Sequence, residues 1–183
     1  MTTVRTAVIR HEGGMRFATV TGTGREPVFG DAAGEGELSP VETVLAALAA
    51  CSAMDVVSIA LKKRQGFTRY EIRVTGDQRD EYPRVYARID VLHEVEGPGV
   101  SVEAIRRCIE LSALRYCPVN AMVSAGSTEV HHAYRVIGTG PEPFDESARS
   151  SSPARSSSRS RRRADRRPRG LHDYALECIV MRP

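Results

Sequence analysis

The stretch from Ser39 to Gly66, SPVETVLAALAACSAMDVVSIALKKRQG, constrains this chain more than any other. Ser39 can cap a helix, and Pro40 suits the first helical position, where a missing N–H leaves no intrahelical bond unmade. Glu42 follows Ser39 by three residues, the spacing of a capping box. Lys62, Lys63 and Arg64 gather where the helix dipole favours positive charge, and Gly66 is the expected stop. Such a helix would run roughly 40 Å at 1.5 Å per residue.

From Val44 to Leu61 the only polar side chains are Ser52, Asp55, Ser58 and the thiol of Cys51. A helix apolar nearly all round is buried on most sides. A membrane span is the rival reading. Asp55 at mid-segment, the excess of Ala over Leu and Ile, and the lack of a second apolar segment weigh against it. The stretch reads as a central core helix whose small Ala positions allow another helix to approach closely. In that setting Cys51 alone reads first as a small hydrophobe.

Strand patterns surround this helix. Val4 to Ile9, Met15 to Val20 and Glu26 to Phe29 are short extended runs separated by Gly-rich turns. After Gly66, Tyr70 to Gly76 and Arg84 to Val95 alternate, with Val85, Ala87, Ile89 and Val91 on one face and Arg84, Tyr86, Arg88 and Asp90 on the other. One wet face predicts an antiparallel sheet. A second helix is predicted from Ser101 to Tyr116, with Cys108 on its apolar stripe as inert core. Pro118 then disfavours helix at Cys117 but suits the start of a new one, so Cys117 would cap a short helix running to Ser124. There the free N–H groups and dipole are expected to lower its thiol pKa, and Arg115 lies two residues before it. Thr128 to Ile137 closes the pattern as a strand. Strands and helices in separate runs predict an α+β fold.

The charge is unevenly placed. The chain of 183 residues carries a formal +3, yet residues 141–183 hold ten Arg against six acids. That leaves 16 basic and 17 acidic residues in 1–140, so nucleic-acid binding by the body has no electrostatic basis. Residues 147–170 contain eight Ser and nine Arg and almost nothing apolar, the composition of a solvated, disordered tail. Two units are expected: a domain over 1–140 and a tail over 141–183, the only part suited to contacting nucleic acid.

MTTVRTAVIRHEGG does not resemble a signal peptide, so a cytoplasmic location with reduced thiols is expected. Among Cys51, Cys108, Cys117 and Cys178 there is no C-x-x-C pair, and a zinc knuckle has no support. His131 and His132 are neighbours on a strand and point to opposite faces, which speaks against a shared metal.

Ala49-Ala50-Cys51-Ser52 on a long helix, Arg115-Tyr116-Cys117-Pro118 before a short one, and the Ser39-Pro40 start together resemble the OsmC/Ohr family. The stretch from Cys51 to Ser58 looks most like its less characterised third branch. The resemblance covers roughly residues 5–140. It implies an intertwined homodimer with the long helices central, sheets outside and an active site at the dimer interface. It also implies thiol-dependent reduction of hydroperoxides, chiefly organic ones, with no cofactor and an external dithiol as reductant. Cys51 would be the peroxidatic nucleophile and Cys117 the resolving thiol. The family's characterised branches place a Glu directly after the Pro, whereas here Val41 stands there and Glu42 follows. They also use an Arg from the N-terminal strands, for which Arg16 and Arg25 are the candidates. Asp55, one turn past Cys51, would oppose thiolate formation if ionised nearby. A second reading keeps the dimeric fold and thiols but makes the protein a redox sensor or a binder of a small apolar ligand.

Overall fold

The computed structural model describes residues 3–31 and 35–139, and the backbone of 172–173 and 177–180. Its elements are β1 (Ala7–Gly13), β2 (Arg16–Thr21), β3 (Val28–Phe29), β4 (Glu37–Leu38), α1 (Pro40–Lys62), β5 (Arg69–Gln78), β6 (Tyr86–Pro98), α2 (Val102–Leu111), a π-helical turn (Ser112–Tyr116), α3 (Pro118–Ser124), β7 (Glu129–Thr139), β8 (His172–Asp173) and β9 (Glu177–Val180). The α+β class follows the sequence pattern closely. The expected unit boundary near 140 and the tail over 141–183 fall outside the described residues, apart from the β8 and β9 backbones, which pair antiparallel with β7.

The start of α1 is as the sequence dictates. Ser39 is extended and its Oγ accepts from the Glu42 N–H at 3.5 Å. Its end differs. The helix stops at Lys62 because Arg64 turns to a left-handed φ of 57°. Arg64 N–H then bonds Leu61 O and Gln65 N–H bonds Ala60 O, the paired closure of a Schellman turn. The glycine that matters nearby is Gly97 on β6, where a Cβ would lie 2.7 Å from the carbonyl oxygen of Gly66.

Within one chain α1 is buried along a single stripe, Leu48, Ser52, Val56 and Ala60, rather than on most sides. Met54 and Leu61 stay 67% and 63% exposed. The helix is long and apolar enough to cross a membrane by length and composition. Its buried stripe, however, packs as core: Val56 and Ala60 join Val95, Ile105, Cys108, Ile109 and Tyr134, while Leu48 joins Ile89, Val91, Cys117 and Val130.

The first sheet runs β1-β2-β3-β4, and among the described residues neither core cluster draws on it. In the second sheet β5 and β6 pair antiparallel as expected, but β6 and β7 are parallel. The reason is the connection. α2, the π turn and α3 form a crossover that brings the chain back to the end of the sheet at which β6 began, which a hairpin cannot do. Alternation along β6 sends Ile89, Val91, His93 and Val95 inward, onto the helices.

Candidate active site

The predicted second helix is two pieces with a π turn between them. Pro118 holds Cys117 extended at φ −74°, ψ 103°, and Cys117 N–H reaches back five residues to Ser112 O at 2.8 Å. The π turn thereby presents Cys117 as the N-cap of α3, its Sγ accepting from Asn120 N–H at 3.3 Å. Single π turns of this sort are frequent at functional sites.

This placement carries Cys117 across to α1. The sulfurs of Cys51 and Cys117 and a carboxylate oxygen of Asp55 all lie within 4.8 Å of one another. Cys51 is half-buried and Cys117 buried. The thiol of Cys117 was expected to be acidified by the helix end. Instead burial pushes it up to about 12, with hydrogen bonding to Cys51 adding to the rise and the Asn120 and Val119 N–H groups opposing it. At 2% exposure, desolvation of a thiolate outweighs two backbone donors. The thiol of Cys117 therefore keeps its proton at neutral pH, beside the more accessible sulfur of Cys51.

Ser112, missed in the sequence reading, lies under the pair. Its hydroxyl donates to Asp55 Oδ2 at 3.1 Å and approaches Ser52 Oγ at 3.4 Å, so the carboxylate is held in place beside the thiols. Two thiols and an oriented carboxylate are also a donor set that a soft divalent cation accepts. A metal would first have to displace the tightly held proton of Cys117.

The remaining candidates stay apart from Cys51 within one chain. Glu42 precedes it by nine residues, about 900° of rotation and 13 Å along the axis, so it faces the opposite side. Arg16 is engaged by Glu12 and Glu37 at 3.2 and 3.1 Å on the first sheet. Arg25 lies in the loop after β2, where its N–H bonds Thr21 Oγ1. Among the described residues neither arginine is bonded to Cys51. Arg115, two residues before Cys117, lies over the Tyr116 ring, 5.6 Å from its centroid.

Two cavities are lined by α1, one by residues before Cys51 and one by residues after it. One, of about 430 Å³, is lined by Ile9, Phe17, Phe29, Pro40, Val44 and Ala47 and carries almost no polar surface. Val44, Ala47 and Cys51 follow at i, i+3 and i+7, so this cavity opens along the helix face that bears the thiol. The other, also about 430 Å³, is lined by Asp55, Ser58, Ile59, Lys62, Leu111 and Tyr116 and mixes charged with apolar side chains.

The family model for OsmC-like proteins matches residues 32–132, which contain both cysteines and every element from α1 to α3. The chain belongs to the OsmC-like family. It is 34% identical over 124 residues to protein YhfA of Escherichia coli, covering 68% of this chain and 92% of that one. An OsmC-like protein of Mycoplasma pneumoniae superposes with a TM-score of 0.61 at 17% identity, over 74% of this chain and 97% of the other. An organic hydroperoxide resistance protein of Elizabethkingia anophelis does so with a TM-score of 0.53 at 16% identity, over 71% and 94%. At these identities the two structures establish the shared OsmC/Ohr fold. Within that fold, the resemblance carried by Cys51 and Cys117 acquires a geometry: the two thiols meet.

Proposed function

We propose that this OsmC-like protein is a thiol-dependent peroxidase for organic hydroperoxides. The single observation that carries the reading is the approach of an accessible Cys51 to a buried, protonated Cys117 within 4.8 Å. The Cys51 thiolate attacks the distal oxygen of R–O–O–H. The O–O bond breaks, an alcohol leaves with a proton, and Cys51 becomes a sulfenic acid. The thiol of Cys117 attacks that sulfur, water leaves, and a disulfide forms. An external dithiol supplies two electrons and two protons to restore both thiols. Proximity is what Cys117 contributes: a reactant a few ångströms away acts at a high effective concentration. The apolar cavity on the face of α1 that bears Cys51 favours substrates with a hydrocarbon group.

The functional unit is a homodimer in this reading. Ile9, Val44, Met54 and Leu61 leave an exposed apolar surface over β1 and α1 that a second copy would cover. In such a dimer Glu42, Arg16 or Arg25 of the other copy has the opportunity to approach Cys51. A redox sensor or apolar-ligand binder on the same fold would share the cavity but not the turnover. Consumption of cumene hydroperoxide with dithiothreitol as reductant separates the two. The peroxidase reading predicts multiple turnovers abolished by Cys51→Ser and a raised KM in Ala47→Phe, which fills the cavity; absence of turnover in the wild type overturns it.

A further inference from the structure

On the helix-facing side of the second sheet, a chain of buried polar side chains runs across the strands to α3. Tyr70 on β5 lies 2.7 Å from His93 Nδ1 on β6; His93 Nε2 lies 3.2 Å from His132 Nδ1 on β7; His132 Nε2 lies 3.2 Å from Asn120 Oδ1 on α3. Both imidazoles are 0% exposed and Asn120 is 4% exposed. Asn120 is tied at three points. Its Nδ2 donates to Ala113 O in the π turn at 2.9 Å, its Oδ1 faces His132, and its backbone N–H donates to Cys117 Sγ.

Chemistry fixes the direction of every bond in this chain. Ala113 O can only accept, so Asn120 Nδ2 faces it and Oδ1 must accept from His132 Nε2–H. A neutral His132 then accepts at Nδ1 from His93 Nε2–H, and His93 accepts at Nδ1 from the Tyr70 hydroxyl. Burial keeps both rings neutral, with His93 down to about 3 and His132 to about 4. The chain ends on an amide, which does not carry protons in this way. It therefore orients groups rather than moving a proton.

We infer that the Tyr70–His93–His132–Asn120 chain is a positioning device for Cys117, locking α3 and the π turn to the sheet so that the thiol is held against Cys51. This rests on the proposed Cys51–Cys117 redox pairing and assigns its geometry to residues that touch neither substrate nor the attacked sulfur. A buried chain satisfied at every atom is stiff, because any displacement leaves a donor or acceptor unpaired.

The test is the equilibrium between the Cys51–Cys117 dithiol and oxidised glutathione, which yields the protein disulfide and two reduced glutathiones and needs no hydroperoxide. His132→Phe removes two hydrogen bonds and is expected to lower that equilibrium constant by about tenfold or more. His132→Gln, which retains a donor and an acceptor, is expected to stay within about threefold of wild type. Tyr70→Phe removes one terminal bond at constant volume and is expected to lower the constant by about threefold. Alkylation of Cys51 should keep its wild-type rate throughout, which a general loosening of the fold would not allow. A natively folded His132→Phe with an unchanged constant overturns the inference. If that variant does not fold, an unchanged constant in Tyr70→Phe does so. A protein that ignores hydroperoxides but shows these shifts loses the peroxidase reading and keeps the positioning role.

Discussion

Lowering the pH from 7 to 5 is expected to strip this protein of a large part of its stability through two side chains. His93 and His132 are fully buried and neutral, with burial first and neighbouring imidazoles second holding them at about 3 and about 4. In the unfolded chain each titrates near pH 6.5. The folded value lies below the unfolded one, so the unfolded state binds more protons between these values and stability falls as pH falls. The loss begins near pH 6.5 and ends near pH 4 to 3, where the folded state takes up the same protons. Working the linkage from pH 7 to 5 gives about 2 kcal/mol for each histidine and about 4 kcal/mol for the pair. That is a substantial share of a typical folding free energy of about 5–15 kcal/mol. The assay is urea unfolding by circular dichroism at pH 7, 6 and 5, at one protein concentration because assembly also contributes. The control is the double variant His93→Gln/His132→Gln. Its stability at pH 7 is expected to be lower, but its response to pH should be flatter than the wild type's by about 4 kcal/mol. Equal pH responses in the two proteins would refute the reasoning.

Two further outcomes follow from the surface and the site. Met54→Glu places a charge on the exposed apolar side of α1, and sedimentation is expected to show the wild type as a dimer and this variant as predominantly a monomer; a monomeric wild type would contradict the dimer. Asp55→Asn removes a negative charge within 4.8 Å of both sulfurs, and alkylation of Cys51 by iodoacetamide at pH 7 is expected to speed up by roughly threefold or more; a slower reaction would show that the carboxylate assists the thiol.

The parts of this fold written in local chemistry were legible in the sequence. Ser39-Pro40 marks the start of α1, and Cys117-Pro118 marks both the break after α2 and the cap of α3. The end of α1 was not, because a Schellman turn was closed on Arg64 while Gly66 stood nearby as the more obvious stop. The parallel pairing of β6 and β7 depends on where the crossover delivers the chain, and alternation in β6 alone is the same for either direction. At the site, Cys51 and Cys117 came from the resemblance, and their meeting came from the structure. The tie from Ser112 to Asp55 spans 57 residues and has no local signature. The histidine chain left a partial trace. The alternation that buries Ile89 and Val91 continues to His93, and the strand that buries Val130 and Tyr134 places His132 on the same face. Only the register Val91↔His132 and the packing of α3 bring them into one chain with Asn120. His131 points the other way, as strand geometry requires, toward Glu129 at 3.3 Å.

The central claim is that Cys51 is oxidised by an organic hydroperoxide and then closed by Cys117. The most direct measurement is intact mass and thiol titration of the reduced protein after a slight excess of cumene hydroperoxide, for the wild type, Cys51→Ser and Cys117→Ser. The account predicts rapid loss of two thiols and about 2 Da in the wild type, no loss in Cys51→Ser, and a gain of about 16 Da in Cys117→Ser as the sulfenic acid accumulates. Wild-type thiols that survive the same exposure for minutes would contradict it.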